Sequence, residues 1–212
     1  ALEGMIAQDK IDTLLKDTTE VPNFEVSEQV ITLMFVDIVD FSKFAEEKSP
    51  KAVFSALREL MAELSDLVHS YGGIVDKSLG DGLLCYFGYQ YGPNQDKVNS
   101  HADQAISCAI EIQRRHLKRC LEGHAETDII HPLRIGINSA GVFIGDLGGK
   151  QRVDFTIIGH GVNYAQRFEA ACDPFKIMYG PTTKDLCLSY HRSKDSVVER
   201  QIPIKNRRET FA

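Results

Sequence analysis

The chain lacks any apolar run long enough to cross a bilayer. Its best, Val30–Val36, stops at Asp37, well short of the roughly 18 residues that a spanning helix needs. It also lacks a basic-then-apolar opening of the secretory kind. No C-x-x-C pair is present: Cys85, Cys108, Cys120, Cys172 and Cys187 are scattered and odd in number. That pattern excludes a disulfide or zinc framework and suits a reducing compartment, so a cytoplasmic location is expected. No basic run occurs either. Lys plus Arg is 24 against 30 Asp plus Glu, a net charge of −6, which argues against nucleic acid as a partner. Any phosphate must therefore be held by a local pocket.

What remains is an ordinary globular balance. The 212 residues are 43% hydrophobic and 25% charged, enough for one folded domain and too apolar for a disordered chain. Ala1 stands where a start Met would be, which leaves open a longer protein with a sensor or membrane part. Residues 1–22 read as a short helical lead-in, with Met5, Ile6, Ile11, Leu14 and Leu15 as its stripe. One domain is expected from 23 to 212.

Its elements follow from periodicity. Val30–Ile38 is a buried strand. Ser49 with Pro50 caps a helix whose stripe is Val53, Leu57, Leu60, Leu64, Leu67 and Tyr71, stopped by Gly72-Gly73. Two short apolar runs around Gly80-Asp81-Gly82 predict a tight hairpin, and residues 88–99 read as loop. A second helix runs from His101 to about Leu121, with Ala105, Ile106, Cys108, Ala109, Ile112 and Leu117 inward. Leu133–Gly148 reads as two strands turning at Ser139–Gly141. A further strand lies over 153–159, then a helix through Asn163–Cys172. A strand, helix and strand close the chain over roughly 175–204. The order β-α-β-β-α-β with extra strands and helices predicts an α+β, ferredoxin-like core, helices on one face of an antiparallel sheet.

The chemistry concentrates on two carboxylates. Asp37 ends the first strand and Asp81 sits in the hairpin turn, so the fold can bring both to one sheet edge. Without His or Cys nearby, such a pair favours Mg²⁺ or Mn²⁺. Two such ions about 4 Å apart can clamp an in-line phosphoryl displacement. Taken alone, the pair is equally well explained by a strand end and a D-G turn. Downstream of Asp37, the amides around Phe41 and Ser42 can wrap a triphosphate. Lys77 lies four residues before Asp81, and Asn163 and Arg167 share one helix face at i, i+4.

Four blocks in order resemble the class III nucleotidyl cyclase catalytic domain: Phe35–Ser42, Asp76–Gly82, Leu133–Gly148 and Arg152–Ala171. The similarity covers about Val30 to Lys205. It implies two metal-binding aspartates, Asp37 and Asp81, with the Ile38 carbonyl as a further ligand. Lys77 matches the base-reading lysine, and Thr156 its partner, a threonine in a bacterial-type subgroup. Asn163 and Arg167 match the pair that orients the ribose and stabilises the transition state. The chain departs from the family near its end, where Ile204–Thr210 replaces the expected lysine motif, so the late phosphate-binding residue maps to Lys205 or Arg207. His160-Gly161 is a loop variant. Arg152 fits a phosphate contact or a plain surface arginine equally well.

The resemblance implies conversion of ATP to 3′,5′-cyclic AMP and pyrophosphate with two Mg²⁺ or Mn²⁺ ions. It also implies a head-to-tail homodimer in which each site takes its metal residues from one chain and its base and ribose residues from the other. Guanylate cyclase activity is the enzymatic alternative, since relatives with that activity carry glutamate at the Lys77 place. A diguanylate cyclase needs a GG-[DE]-[DE]-F loop, which is absent. A catalytically silent dimerisation or nucleotide-sensing module is the alternative outside enzymes; the intact set Asp37, Asp81, Asn163 and Arg167 argues against it. No membrane contact is expected from this chain itself.

Overall fold

The computed structural model describes residues 26–89, 101–124, 128–146, 155–187 and 198–201. The lead-in over 1–22, most of the 88–99 loop, Arg152 and Lys205 lie outside the described residues. The elements run β1 (Ser27–Ile38), α1 (Phe41–Glu46), α2 (Pro50–Ser70), β2 (Gly73–Leu79), β3 (Gly82–Phe87), α3 (His101–Glu122) and β4 (Leu133–Asp146). Then come β5 (Phe155–Ile158), α4 (His160–Ala171), β6 (Ile177–Tyr179) and α5 (Pro181–Leu186). The closing strand expected after α5 falls outside the described residues, except that 198–201 form no strand.

The sheet runs β2-β3-β1-β4-β5, with β6 pairing β4 in parallel. The four core strands are antiparallel in the ferredoxin-like order β2-β3-β1-β4. β1 is buried without a break from Ile31 to Val36 because both of its faces are covered. Alternate residues therefore feed two cores. Met34, Val36, Cys85, Phe87 and Ile135 pack against α2 and α3 on one face. Ile31, Leu33, Phe35, Leu84, Tyr86 and Val142 form the second core, with Ala165 of α4.

The helices start and face as their sequences direct, with two exceptions. Ser49 Oγ accepts from Ala52 N at 3.3 Å and Pro50 opens α2, which buries Ala56, Leu60, Leu64, Leu67 and Val68. Leu117 of α3, expected inward, is 44% exposed. In that turn His116 faces inward instead, its Nε2 2.7 Å from His131 O. One turn earlier Gln113 donates to Leu133 O and Lys176 O at 3.1 and 2.9 Å and ties the helix to the sheet. The second exception is α4, which covers the face opposite to α2 and α3. The expectation of helices on one face holds for the core and fails for this addition.

The expected turn at Ser139–Gly141 does not exist. β4 is one strand of 14 residues, paired with β1 straight through Ser139↔Thr32, Ala140↔Ile31 and Gly141↔Val30. Small polar residues resemble a turn in sequence, but here their polar groups are satisfied inside. Ser139 Oγ lies 2.7 Å from Thr32 Oγ1 and 3.0 Å from Thr183 Oγ1, and Thr32 Oγ1 lies 2.6 Å from His101 Nδ1. A glycine fixes α4 on the sheet. A Cβ at Gly136 would lie 2.1 Å from Glu169 N and 2.3 Å from Ala165 O, so no other residue permits this approach.

Candidate active site

The site grows from the end of β1. Asp37 is in register with Arg134 of β4, and Arg134 Nη2 donates to Asp37 Oδ2 at 2.6 Å. The β2–β3 turn presses on the same end: a Cβ on Gly82 would meet Val36 O at 3.0 Å and Asp37 Oδ1 at 3.5 Å. Asp81 is therefore held beside Asp37, as the sequence predicts. Burial pushes the Asp81 carboxyl above its ordinary pKa, and the charge of Asp37 pushes the same way against a backbone hydrogen bond and Arg134. Ile38 ends β1 with its side chain in the core.

Phe41 and Ser42 open α1 immediately beyond. Val39 N donates to Pro132 O at 2.8 Å and Lys43 N to Asp40 O at 3.0 Å, so neither of those amides is available to the triphosphate expected here. Asp40 adopts φ 55, a left-handed conformation that Asp tolerates better than most residues.

Two charged residues that the sequence reading missed complete this edge. Arg134 is one. The other is Glu169, on the buried stripe of α4 with Gly161, Ala165 and Phe168; its Oε1 lies 3.1 Å from Arg134 Nη2, out of hydrogen-bond alignment. Burial first, then the charge of Asp37, raises Glu169 to about 7, with Arg134 opposing. Arg134 becomes visible only once register with Asp37 is known. Glu169 leaves a fainter trace, a charge at i+4 from Ala165 on an otherwise apolar stripe.

A bulge brings Lys77 to the same face. Val75 pairs with Cys85, but Lys77 pairs with Leu84, so Asp76 is an extra residue without a partner on β3. Cys85 points into the α2–α3 core and Leu84 into the opposite one. Residues two apart on a regular strand share a face. The extra residue breaks that rule and turns Lys77 away from the face of Val75, onto that of Phe35 and Asp37.

Asn163 and Arg167 behave differently. Both are exposed on the outer side of α4, and the Arg167 guanidinium lies 5.7 Å from the Tyr164 ring centroid. They face away from the Glu169 side, so the structure does not gather them with Asp37 and Asp81 of the same chain. Thr156 sits on β5 opposite Gly145, far along β4 from Arg134. Among the described residues, no three His, Cys, Asp or Glu side chains are grouped to hold a metal alone. The donor set at Asp37 and Asp81 is nonetheless all oxygen, and suits Mg²⁺ or Mn²⁺ completed by ligand phosphates. All five cysteines are free, and no helix among the described residues is long and apolar enough to cross a membrane.

The chain as a whole has known relatives. The family described as "Adenylate and Guanylate cyclase catalytic domain" matches residues 25–211. Adenylate cyclase 1 of Rhizobium meliloti is 31% identical over 146 residues, 66% of this chain and 20% of that protein. The receptor-type guanylate cyclase gcy-23 of Caenorhabditis elegans is 25% identical over 160 residues, 76% of this chain and 14% of that protein. Among solved structures, the adenylyl cyclase CyaB from P. aeruginosa superposes with TM-score 0.71 at 28% identity, covering 88% of this chain and 93% of that one. The chain belongs to the class III nucleotidyl cyclases and is a cyclase catalytic domain, a lyase by reaction. It spans about a fifth or less of those two curated relatives.

Proposed function

We propose that this domain is an adenylate cyclase that converts ATP to 3′,5′-cyclic AMP and pyrophosphate between two head-to-tail copies of the chain. The observation that carries this reading is the two-carboxylate edge of Asp37 and Asp81, combined with Lys77 turned onto the same face and Asn163 and Arg167 turned outward. A chain with its metal residues at one edge and its ribose and transition-state residues facing out can serve two sites at once, each completed by the other copy.

Asp37, Asp81 and the Ile38 carbonyl would hold two divalent ions, which supply charge neutralisation at the phosphates and a lower pKa for the ribose 3′-hydroxyl. In the reaction the 3′-oxygen forms a bond to the α-phosphorus, the bond to the pyrophosphate oxygen breaks, and the hydroxyl proton leaves. No covalent nucleophile from the protein is needed, so its work is alignment and charge placement. Asn163 orients the ribose. Arg167 meets charge growing on the α-phosphate, a contribution on the order of a few kcal/mol. The backbone at Phe41 and Ser42 cradles the triphosphate, with Arg134 beside it and Arg152 and Lys205 as further phosphate contacts.

Base choice follows from donors and acceptors. Adenine offers an acceptor at N1 and donors at its amino group, whereas guanine offers a donor at N1 and an acceptor at O6. A lysine only donates, so Lys77 suits adenine N1, and the Thr156 hydroxyl accepts from the amino group. The test is to incubate the purified chain with Mn-ATP and, separately, Mn-GTP and identify the product. Cyclic AMP formed with a clear kcat/KM preference for ATP is expected; comparable values for GTP would replace this reading with a guanylate cyclase. Free cysteines and an ATP substrate favour a cytoplasmic setting.

A further inference from the structure

The most anomalous group outside the site's accepted parts is Asp76. Its side chain is 1% exposed, and neither carboxylate oxygen has a hydrogen-bond partner among the described residues. The neighbouring Cys85 thiol does not serve it, since Sγ donates to Met34 O at 3.6 Å. Among the described residues the opposite charge it meets is the ammonium of the next residue: Lys77 Nζ lies 3.3 Å from Asp76 Oδ2.

Adjacent residues on a regular strand point to opposite faces and cannot pair. Here Asp76 is the extra residue of the β2 bulge, and the bulge lets the two side chains meet. A buried carboxylate without hydrogen bonds is costly, and an apolar side chain would fill the place better. What Asp76 does is restrain the end of a long, flexible side chain whose remainder is 46% exposed. The contact is charge against charge without hydrogen-bond alignment, so the ammonium donors stay available to a ligand.

The geometry points to Asp76 as a positioning residue for base recognition: it holds the Lys77 ammonium in place, and so sets the KM for ATP and the preference for ATP over GTP. This rests on Lys77 as the base reader of an adenylate cyclase. The carboxylate acts through Lys77 and has no contact with the nucleotide. The bulge thus does two things, aiming Lys77 at the site face and supplying the anion that steadies it.

The experiment is a double-mutant cycle with Asp76→Asn, Lys77→Ala and the double variant, assayed with Mn-ATP and Mn-GTP. Asp76→Asn should raise KM for ATP about tenfold, lower the ATP-to-GTP ratio of kcat/KM by a similar factor, and leave kcat within about twofold. Adding Asp76→Asn to Lys77→Ala should change KM no further. An unchanged KM and ratio in folded Asp76→Asn, or fully additive effects in the cycle, overturns the proposal. If Lys77→Ala itself leaves KM unchanged, the base-reading role of Lys77 falls and the proposal with it. Should Asp76→Asn alone fail to fold, thermal unfolding of the other two variants decides. Lys77→Ala strands the carboxylate and should lower Tm, and the double variant should recover the loss; no recovery counts against the pairing.

Discussion

Arg134 and Asp37 stand opposite each other on β4 and β1, and the guanidinium donates to the carboxylate at 2.6 Å. The protein thus places a cation of its own on the carboxylate proposed for divalent ions. Asp37 is compensated before any ligand arrives, and Arg134 has a second anion, Glu169, at 3.1 Å.

Asp37→Asn should therefore abolish turnover without unfolding the chain. Arg134 keeps Glu169 as a partner, and Asp81 loses a repulsive neighbour. Activity with Mn²⁺ and with Mg²⁺ should fall below about a tenth of wild type while the thermal transition stays cooperative. A well-folded variant that retains more than that would remove the two-metal assignment.

Asn163 and Arg167 face away from the chain's own aspartates, so half-defective chains should complement. Arg167→Ala and Asp37→Asn are each expected to be inactive alone. Mixed, they should regain activity, because a heterodimer holds one site with both sets intact. If subunit exchange is demonstrated and the mixture stays inactive, the site lies within one chain.

Lys77→Glu tests base choice. Replacing a donor by an acceptor puts a carboxylate against adenine N1, so kcat/KM for ATP should drop by roughly tenfold or more while GTP suffers less. Parallel losses for both nucleotides would mean that Lys77 does not read the base.

Gly136→Ala should be among the most damaging single-methyl changes in the chain. The added carbon meets backbone atoms of α4 at 2.1 and 2.3 Å, which cannot rotate aside. A loss of about 1–3 kcal/mol or more is expected by denaturant unfolding. A change near zero would mean that α4 shifts freely on the sheet.

Glu169 gives a pH dependence in metal-free protein. Its carboxyl is raised from 4.5 to about 7, so the folded state holds the proton more tightly than the unfolded one. That contribution is full below about 4.5 and is lost as pH rises through about 7. Glu169→Gln, which cannot ionise, should flatten the fall in Tm between about pH 5 and pH 8. Parallel Tm curves for the two proteins would contradict the shift.

The core was legible because its signals are local. The Ser49-Pro50 cap, the α2 stripe and the Gly80-Gly82 turn each act within a few residues, and they dictate the ferredoxin-like order. What escaped depends on pairing across the sheet. Ser139–Gly141 resembles a turn until Thr32 and Thr183 supply its polar partners. Arg134 is one arginine among many until register sets it against Asp37. The face of Lys77 cannot be read from alternation, because Asp76 interrupts it. Of the candidate site, the aspartate pair was readable from motif spacing, and the charges that surround it were not.

The seat of α4 on Gly136 also says how such a domain can be controlled. At Gly136 backbone meets backbone with no side chain between to slide or repack, which pins α4 to β4 at that point like a spoke fixed to its rim. In the proposed dimer, turning one whole copy against the other is then the motion expected to change how Arg167 meets the partner's aspartates.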